Sequence, residues 1–391
     1  MGINGLLPLL KNHLQRKHIS CFKNKRIGID GHCWLYQIIP YIAEDLFYNV
    51  PNKRYVKAFL SKIKSILSHK IIPVVIFDGD NLPMKEHTLN IRQERKQKAK
   101  QEAMDALKRN DISRAKELMK QCVNVTREMV NDVIEELIKE NIEFIISPYE
   151  TDAQLTYLQN IGFVDCILTE DSDFIVYGCS SILYKFDGEF VSLYEREILK
   201  KVKDLFFYEN IQKIAIMSGC DYIEGIKGLG VITAYKTLKK IGSEGLLSFL
   251  KQKNLDENFL KKMENAIKTF NHQVVFCPIQ QKRINLNPLE TNLYFLGDLI
   301  GNNVFSKNLN TFATKNLLKY KNTESKNETK RVLTDIMDTP ESDDDLNDPK
   351  QDVKENSILR ISLKNKKKET NFKKKKIVFE EKTSKYFKNL E

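Results

Sequence analysis

The sequence predicts an α/β protein with a central, largely parallel sheet and helices on both faces. Short apolar runs lie at 27–29, 74–77, 144–146 and 166–168. Runs of this length, flanked by polar residues, are typical of strands buried on both faces of a parallel sheet. Segments of helical character separate these runs, and strands that alternate with helices indicate an α/β fold.

The predicted elements follow in chain order after an N-terminal helix. Strands are predicted at 26–30, 72–78, 142–147, 165–169 and 182–186. Helices are predicted at 33–48, 53–69 and 151–161. The charged segment 84–140 is predicted to be helical with one interruption near Asn110, after which Ser113 would cap a new helix. From Ile198 to about Phe270 the pattern is again helical, with one Gly-rich interruption.

Acidic residues follow the apolar runs. Because ligands bind outside the carboxyl ends of parallel strands, acids delivered there are expected to lie close together. Two carboxylates about 4 Å apart repel by roughly 4 kcal/mol at an effective dielectric constant of about 20, so such a cluster requires cations. Oxygen-only ligands favour Mg²⁺ or Mn²⁺. The predicted metal ligands are Asp30, Asp78, Glu150, Asp152, Asp171, Asp173 and Asp221.

Two pairs of these acids, Glu150 with Asp152 and Asp171 with Asp173, are spaced i, i+2. In extended backbone this spacing places both carboxylates on one face. For either pair alone, capping of a helix and interaction with its dipole is an alternative interpretation. Both pairs together with the acids at the strand ends favour a metal site.

The net charge of +11 makes a polyanion the expected partner. Segment 82–128 carries 12 basic and 7 acidic residues, so one element of the folded part is basic. On a helix, Arg92, Arg95 and Lys96 share a face, and Lys85 lies one heptad earlier. A solvated helix face is the alternative. The segment directly follows Asp78, which favours contact with phosphate.

The segment after Asp30 carries aromatic side chains. Trp34, the only tryptophan, is expected in the core. His32 and Tyr36 are candidates for stacking on a nucleic-acid base near the site.

Three glycines, Gly225, Gly228 and Gly230, lead into a predicted helix. The backbone N–H groups of such a turn can hold a phosphate, although the Gly-Lys-Ser/Thr ending of a nucleotide P-loop is missing. A plain tight turn is the alternative. The position just after Asp221 favours a backbone contact with the same substrate.

Other features narrow the class of protein. The chain contains no apolar run of 18 residues, and its N-terminus has no secretory signal pattern, so neither a membrane span nor secretion is expected. The seven cysteines include no Cys-x-x-Cys pair, which favours buried thiols in a reducing compartment over a zinc site.

Four motifs in order resemble the flap endonuclease superfamily of structure-specific 5′ nucleases. They are MGINGL at 1–6, FDG at 77–79, TEDSD at 169–173 and SGCDY at 218–222. The resemblance covers about residues 1–300. CWL at 33–35, PYETDAQL at 148–155 and the GCDY ending are similar to the exonuclease 1 branch. Flap endonucleases proper tend to have Pro-Ser-Glu-Ala-Glu-Ala at the acid pair.

The resemblance implies that the seven acids bind two Mg²⁺ ions, for which Mn²⁺ is a substitute. It implies that Lys85 and Arg92 contact the scissile phosphate from a helical arch, and that Gly2 packs near the active site. The exonuclease branch often has Tyr at the position of His32, so this chain departs from the branch there.

The resemblance also assigns a role to the glycine turn. The turn matches a helix-two-turn-helix that grips duplex phosphates, here through Gly228 and Gly230. It often does so with a bound K⁺, for which Ser218 and the backbone of Gly225 and Leu229 are the matching positions.

The predicted domain organisation follows from these assignments. Residues 1–300 form the nuclease core, with an N-terminal region at 1–99 and the basic arch beginning near 82. An internal nuclease region spans 138–230, and the helix-two-turn-helix region spans 218–270. Blocks of like charge at 343–345, 366–368 and 373–376 predict a disordered basic tail at 322–391.

The tail contains Ser384-Lys385-Tyr386-Phe387, which resembles the short motif by which repair proteins dock on MutL-homologue proteins. Its first position is Thr383, where the motif has a basic residue. The lysine clusters at 364–376 match a nuclear import signal or nonspecific DNA contacts.

We therefore expect a monomeric, nuclear, Mg²⁺-dependent 5′→3′ double-strand DNA exonuclease with 5′-flap endonuclease activity, in mismatch repair and recombination. Its substrates would be duplexes with 5′ ends, nicks, gaps or flaps. A flap endonuclease of replication and repair is the first alternative. A 5′→3′ RNA exonuclease and an inert DNA-binding scaffold are the others.

Overall fold

The computed structural model describes residues 2–242, 245–253, 255 and 257–300, and these form a mixed α/β fold around a seven-stranded sheet. The strands are β1 (Gln15–His18), β2 (Arg26–Asp30), β3 (Ile72–Phe77), β4 (Glu143–Ile146), β5 (Cys166–Leu168), β6 (Ser181–Tyr184), β7 (Phe190–Glu195), β8 (Val274–Cys277) and β9 (Lys282–Asn285).

The α-helices of the first part of the chain include those that cover the sheet and those of an insertion after β3. They are α1 (Leu6–Leu10), α2 (Gly31–Ile38), α3 (Ala43–Phe47), α4 (Arg54–Ser68), α5 (Glu86–Lys108), α6 (Ile112–Cys122), α7 (Arg127–Lys139), α8 (Thr151–Asn160) and α9 (Asp173–Val176). The α-helices that follow are α10 (Ile198–Val202), α11 (Leu205–Glu209), α12 (Ile211–Ser218), α13 (Val231–Ile241), α14 (Leu246–Gln252) and α15 (Glu257–His272).

The strand order is β1-β7-β6-β5-β2-β3-β4, and β8 pairs only with β9 among the described residues. Strands β6, β5, β2, β3 and β4 run parallel. At one edge β7 pairs antiparallel to β6, and β1 pairs antiparallel to β7. The predicted parallel sheet is therefore confirmed, and its five predicted strands form. The edge strand β1, with the sequence Gln-Arg-Lys-His, lacks the apolar pattern of a strand and was not predicted.

Helices cover both faces of the sheet, as predicted. Along β3, Val75 and Phe77 pack into one apolar layer, and Val74 and Ile76 pack into the other, because successive side chains of a strand point to opposite faces. Trp34 lies in the first layer, 2% exposed, and stacks on Phe186. The expectation that Trp34 is a core residue is confirmed.

The helical insertion after β3 is an antiparallel hairpin of α5 and α6, and it is the predicted arch. Small side chains of α5, Ala99, Ala103 and Ala106, pack against Leu118 and Met119 of α6. The break between these helices lies near Asn110, as predicted, but the cap lies two residues earlier than expected, because Asp111 rather than Ser113 caps α6. Its Oδ1 accepts the N–H of Arg114 at 3.0 Å. A second break at 123–126, before α7, was not predicted.

In two other regions the sequence predicted longer uninterrupted helices than the structure contains. The helix predicted at 33–48 divides near Pro40 into α2, a 3₁₀ turn and α3, because proline lacks the N–H that an α-helix needs. The described residues of 198–270 form six helices, where a single interruption was predicted. The described helices include none that is both long and apolar enough to cross a bilayer. The predicted tail at 322–391 lies outside the described residues.

Candidate active site

The carboxyl edge of the sheet collects acids from four neighbouring parallel strands, β4, β3, β2 and β5. Asp30 is the last residue of β2, and Asp78 directly follows β3. Glu150 follows β4 at the start of α8, and Asp171 follows β5 just before α9. The sheet topology thus brings these four predicted residues to one edge.

Asp30 is held from both sides. Its Oδ1 accepts the N–H of Cys33 at 2.9 Å, so that Asp30 caps α2. Its Oδ2 accepts the hydroxyl of Thr169 at 2.9 Å. Asp30 is therefore a helix cap, although capping was considered in the sequence only for the two acid pairs. Glu150, a member of one pair, occupies the N-cap position of α8 but makes no side-chain capping bond.

Asp171 and Asp173 form the second acid pair. The N–H of Asp173 donates to Oδ1 of Asp171 at 3.0 Å. Oδ1 of Asp173 is buried, and no hydrogen-bond donor among the described residues reaches it. A buried carboxylate oxygen without a donor fits a cation as its partner, because leaving such a group unpaired is costly.

Asp221 comes from outside the sheet, just after α12. Two basic side chains of the arch reach it. The Lys85 ammonium lies 2.7 Å from Oδ2 of Asp221, and the Arg92 guanidinium lies 2.5 Å from Oδ1. The same Lys85 ammonium lies 2.5 Å from Oε1 of Glu150. The start of α5 is therefore anchored in the acid cluster.

Burial and neighbouring negative charges raise the pKa values of several acids in the cluster. Burial, followed by the charge of Asp78, raises the pKa of Asp30 to about 7. Burial and the charges of Asp171 and Asp221 raise the pKa of Asp173 well above its usual value. Burial, Asp171 and Glu150 likewise raise the pKa of Asp152. Positive charge is therefore needed here for all the carboxylates to ionise together.

The same negative charges favour the charged form of Lys85. Burial alone would lower the pKa of Lys85, but the charges of Glu150 and Asp221 raise it well above the usual value. Lys85 therefore stays protonated in the cluster, where it neutralises part of the negative charge.

The side chains are not arranged as a finished metal site. Within residues 2–242, 245–253, 255 and 257–300, no three His, Cys, Asp or Glu side chains converge to hold one metal ion as they stand. Lys85 lies among them instead. The anionic, all-oxygen donor set nevertheless suits hard divalent cations. Ligation by this set requires the side chains around Lys85 to rearrange.

A cavity of about 550 Å³ adjoins the acid cluster on the arch side. Arg92 and Lys96 line it from α5, and His32 and Tyr36 line it from α2. Its lining also includes Asp78 and Glu150. The backbone N–H of Asp78 donates to Nδ1 of His32 at 3.0 Å, so the other ring nitrogen carries the proton of the neutral imidazole.

Arg95 does not belong to this group. It is exposed, and it does not line the cavity that Arg92 and Lys96 share. Tyr36 and Lys96 meet instead through Asn124, whose Oδ1 accepts the Tyr36 hydroxyl at 2.6 Å and the Lys96 ammonium at 2.6 Å. Asn124 lies in the break between α6 and α7, which the sequence pattern did not reveal.

The glycine turn lies between α12 and α13. A Cβ on Gly225 would meet the carbonyl oxygen of Ser218 at 2.3 Å, so the backbones of two of the three predicted potassium positions pass very close together. The Ser218 hydroxyl donates to Ala215 within its own helix at 2.8 Å. Leu229 is buried, whereas Gly228 and Gly230 are exposed ahead of α13, where a Cβ would meet nothing within 4 Å.

Gly2 lies against the second acid pair. A Cβ on Gly2 would approach Oδ1 of Asp171 to 2.2 Å and Oδ1 of Asp173 to 2.7 Å. The structure therefore places Gly2 beside these acids, where the resemblance expects it.

Sequence reasoning missed three buried polar residues next to Glu150. They are Tyr177, Tyr222 and Gln273, which form hydrogen bonds with its carboxylate or with one another. Tyr222 ends the SGCDY motif, which is the only sequence signal near any of them. Gln273 follows Glu150 by 123 residues, and no spacing rule connects them.

Family models match two parts of the chain. The model described as the XPG N-terminal domain matches residues 1–99, and the one described as the XPG I-region matches residues 141–221. The arch hairpin lies mostly between these two regions.

Curated relatives match the described core and extend well beyond it. Exonuclease 1 of Xenopus laevis is 32% identical over 300 residues, which cover 74% of this chain and 41% of the relative. Exodeoxyribonuclease 1 of Schizosaccharomyces pombe is 34% identical over 302 residues, covering 75% of this chain and 53% of the relative. The chain thus spans about half or less of the length of these relatives.

A solved structure shares the fold. The catalytic core of Rad2 in complex with DNA substrate aligns with a TM-score of 0.50 at 21% identity. The alignment covers 68% of this chain and 78% of that chain. At this level of identity the likeness shows the fold alone.

Proposed function

The chain belongs to the exonuclease 1 branch of the flap endonuclease superfamily, and we propose that it is a divalent-metal-dependent 5′ nuclease acting on DNA. In this proposal it is a 5′→3′ double-strand exonuclease with 5′-flap endonuclease activity. The observation that carries the proposal is the convergence of acids from four parallel strands with two arch cations, Lys85 and Arg92, in contact with them.

The seven acids would hold two Mg²⁺ ions, and Mn²⁺ would substitute. The orphaned buried oxygen of Asp173 and the raised pKa values of Asp30 and Asp152 support this assignment. When bound, the two ions would supply Lewis-acid stabilisation of the attacking and leaving oxygens of phosphodiester hydrolysis.

Lys85 and Arg92 would act on the substrate phosphate. Both belong to the arch, and both lie at the boundary of the acid cluster and the adjoining cavity. A phosphate that enters the cluster would replace the carboxylates as their partner. The two cations would then stabilise the negative charge that builds up on the scissile phosphate.

The adjoining cavity would accept the terminal nucleotide after it unpairs. His32 and Tyr36 bring aromatic side chains to its lining, and Lys96 adds positive charge. A requirement for unpairing selects ends, nicks, gaps and flaps over intact duplex, because extruding a paired base costs a few kcal/mol. Arg95, which is exposed on α5, would contact phosphates outside the cavity.

The glycine turn would hold the duplex at a second point. Gly228 and Gly230 are exposed ahead of α13, and their backbone N–H groups suit a phosphate. Ser218, Gly225 and Leu229 would supply oxygens to a K⁺ ion at this turn. One contact at the glycine turn and another at the acid cluster would fix how far the cleaved bond lies from the gripped part of the duplex.

The rest of the proposal concerns the biological setting. The enzyme would act as a nuclear monomer in mismatch repair and recombination. Residues 384–387, outside the described part of the chain, would bind a MutL-homologue protein. A flap endonuclease remains the alternative within the superfamily.

The decisive experiment for the substrate is digestion of blunt, nicked and 5′-flap duplexes, labelled at the 5′ end, with Mg²⁺. Release of labelled mononucleotide from blunt or nicked ends is expected. Release of flap-length oligonucleotides alone would favour the flap endonuclease. Preference for RNA ends over DNA ends of the same sequence would overturn the assignment to DNA.

A further inference from the structure

We propose that Gln273 is a positioning residue for Glu150, and that it acts together with Tyr222 and Tyr177 from beneath the acid cluster. The inference rests on the proposed function, because it assigns Glu150 as a metal ligand. Gln273 directly precedes β8, and it lies outside both regions that the family models match.

The two oxygens of Glu150 face different surroundings. Oε1 faces the acid cluster, where it contacts the ammonium of Lys85 at 2.5 Å. Oε2 accepts two neutral donors, the hydroxyl of Tyr222 at 2.7 Å and Nε2 of Gln273 at 2.7 Å. The carboxylate is therefore clamped at one oxygen and leaves the other for a cation.

The short hydrogen bonds of this network run towards Glu150, and the Gln273 amide also donates to the hydroxyl oxygens of Tyr177 and Tyr222 at 3.5 Å. An ionised carboxylate only accepts, so the Tyr222 hydroxyl must donate to it. Tyr177 then donates to the oxygen of Tyr222, at 2.6 Å. The ring of Phe270 lies edge-on to both tyrosine rings, with centroids 5.0 Å and 4.9 Å away, and holds them in place.

Oε1 of Gln273 has no hydrogen-bond partner among the described residues, which indicates that the functional atom of this amide is its donor, Nε2. Gln273 is fully buried. Turning the amide over would direct this oxygen at the carboxylate oxygen of Glu150, which is repulsive. The side chain thus keeps an unsatisfied acceptor in order to donate to Glu150.

A second buried glutamine provides a matched control. Gln154 is also fully buried. Its amide bonds only to the backbone of Phe276 in β8, donating at 2.8 Å and accepting at 2.7 Å. Replacing either glutamine with leucine removes buried hydrogen bonds, but only Gln273→Leu frees a carboxylate of the acid cluster.

The test measures Mn²⁺ binding to the DNA-free protein by calorimetry. Gln273→Leu is expected to weaken binding about tenfold or more, the usual effect of removing a residue that orients a ligand. Gln154→Leu is expected to lower thermal stability without this loss of affinity. Equal affinities for the wild type and Gln273→Leu would overturn the inference.

A double-mutant cycle separates positioning from a merely structural role. If Gln273 acts through Glu150, then Gln273→Leu causes no further loss of Mn²⁺ affinity in a Glu150→Ala background. A loss of the same size in both backgrounds would refute the inference. Should Gln273→Leu fail to fold, Tyr222→Phe is judged by the same two criteria.

Failure of the proposed function gives a different result. Wild-type protein that neither binds Mn²⁺ nor cleaves DNA would refute the assignment of Glu150 as a metal ligand, and the inference with it. Wild-type protein that binds and cleaves, with an unchanged Gln273→Leu variant, would refute only the positioning role.

Discussion

The ammonium group of Lys85 lies 2.5 Å from Oε1 of Glu150, inside a cluster of acids drawn from the carboxyl ends of parallel strands. Lys85 is the first basic residue of the arch, so this one contact couples the arch to the acids. It also makes Lys85 a competitor of any metal ion that Glu150 would bind.

This competition predicts the effect of Lys85→Met in metal-free buffer. The free energy of unfolding should fall by about 3 kcal/mol, because Glu150 and Asp221 lose a buried partner. Added Mg²⁺ should then stabilise the variant more than the wild type, since the metal no longer competes with the ammonium. Urea unfolding in EDTA and in Mg²⁺ checks both statements.

Lys98→Met serves as the control for Lys85, because Lys98 is exposed on α5, the helix that Lys85 directly precedes. It should unfold like the wild type under both conditions. A Lys85→Met variant with wild-type stability in EDTA would show that Lys85 does not compensate the acids.

Gly2→Ala should reduce cleavage strongly, most of all at low Mg²⁺. The new Cβ would meet Oδ1 of Asp171 and Oδ1 of Asp173 at distances no real contact allows, and these acids would have to move. The matched control is Gly5→Ala. Both glycines have left-handed backbone, with φ of 83° and 84°, but a Cβ on Gly5 meets nothing within 4 Å.

The two alanine variants are compared by single-turnover cleavage across Mg²⁺ concentrations. Strain from the left-handed backbone is common to both, so the difference between them reports the displaced acids alone. Equal activity of the two variants would show that the position of Gly2 beside the acids is unimportant.

The raised pKa of Asp30 predicts how stability depends on pH without metal. Burial first, and then Asp78, raise this pKa from 3.8 to about 7 in the folded protein. Between these values the folded state holds a proton that the unfolded state has lost, so the contribution of Asp30 to stability falls as pH rises through the window.

This effect is measured as the free energy of unfolding in EDTA at pH 5 and pH 8. The wild type should lose more stability between the two than Asp30→Asn, which does not titrate. Identical losses in both proteins would place the titration of Asp30 outside this window.

Gly230→Ala tests the duplex contact at the glycine turn. A Cβ there meets nothing within 4 Å, so thermal stability should be unchanged. Duplex affinity should fall, because the methyl group would separate the backbone N–H groups from a phosphate. Fluorescence anisotropy with a labelled duplex measures the affinity, and a wild-type value would remove Gly230 from the DNA interface.

Much of the fold follows from local pattern. The runs that become β2 to β6 are apolar and short, and a parallel sheet brings the ends of its strands together whatever the details of packing. This is why the acids at the ends of β2, β3, β4 and β5 could be placed at one edge from sequence alone.

Other features depend on contacts that no local pattern encodes. Edge strand β1 is polar, and it forms because β7 supplies the hydrogen bonds. Asp111 rather than Ser113 caps α6, since either residue type suits the role and only packing decides. Gln273 reaches Glu150 across 123 residues, so only the folded structure reveals their contact.

Cleavage by Asp171→Ala and Asp78→Ala tests the central claim that the acid cluster performs metal-dependent hydrolysis at a 5′ end. Single-turnover cleavage of a 5′-flap duplex in Mg²⁺ should be abolished in both variants. DNA binding should persist, and Glu264→Gln, an exposed acid on α15, should cleave normally. Retained turnover in either alanine variant, with contaminating nuclease excluded, would contradict the account.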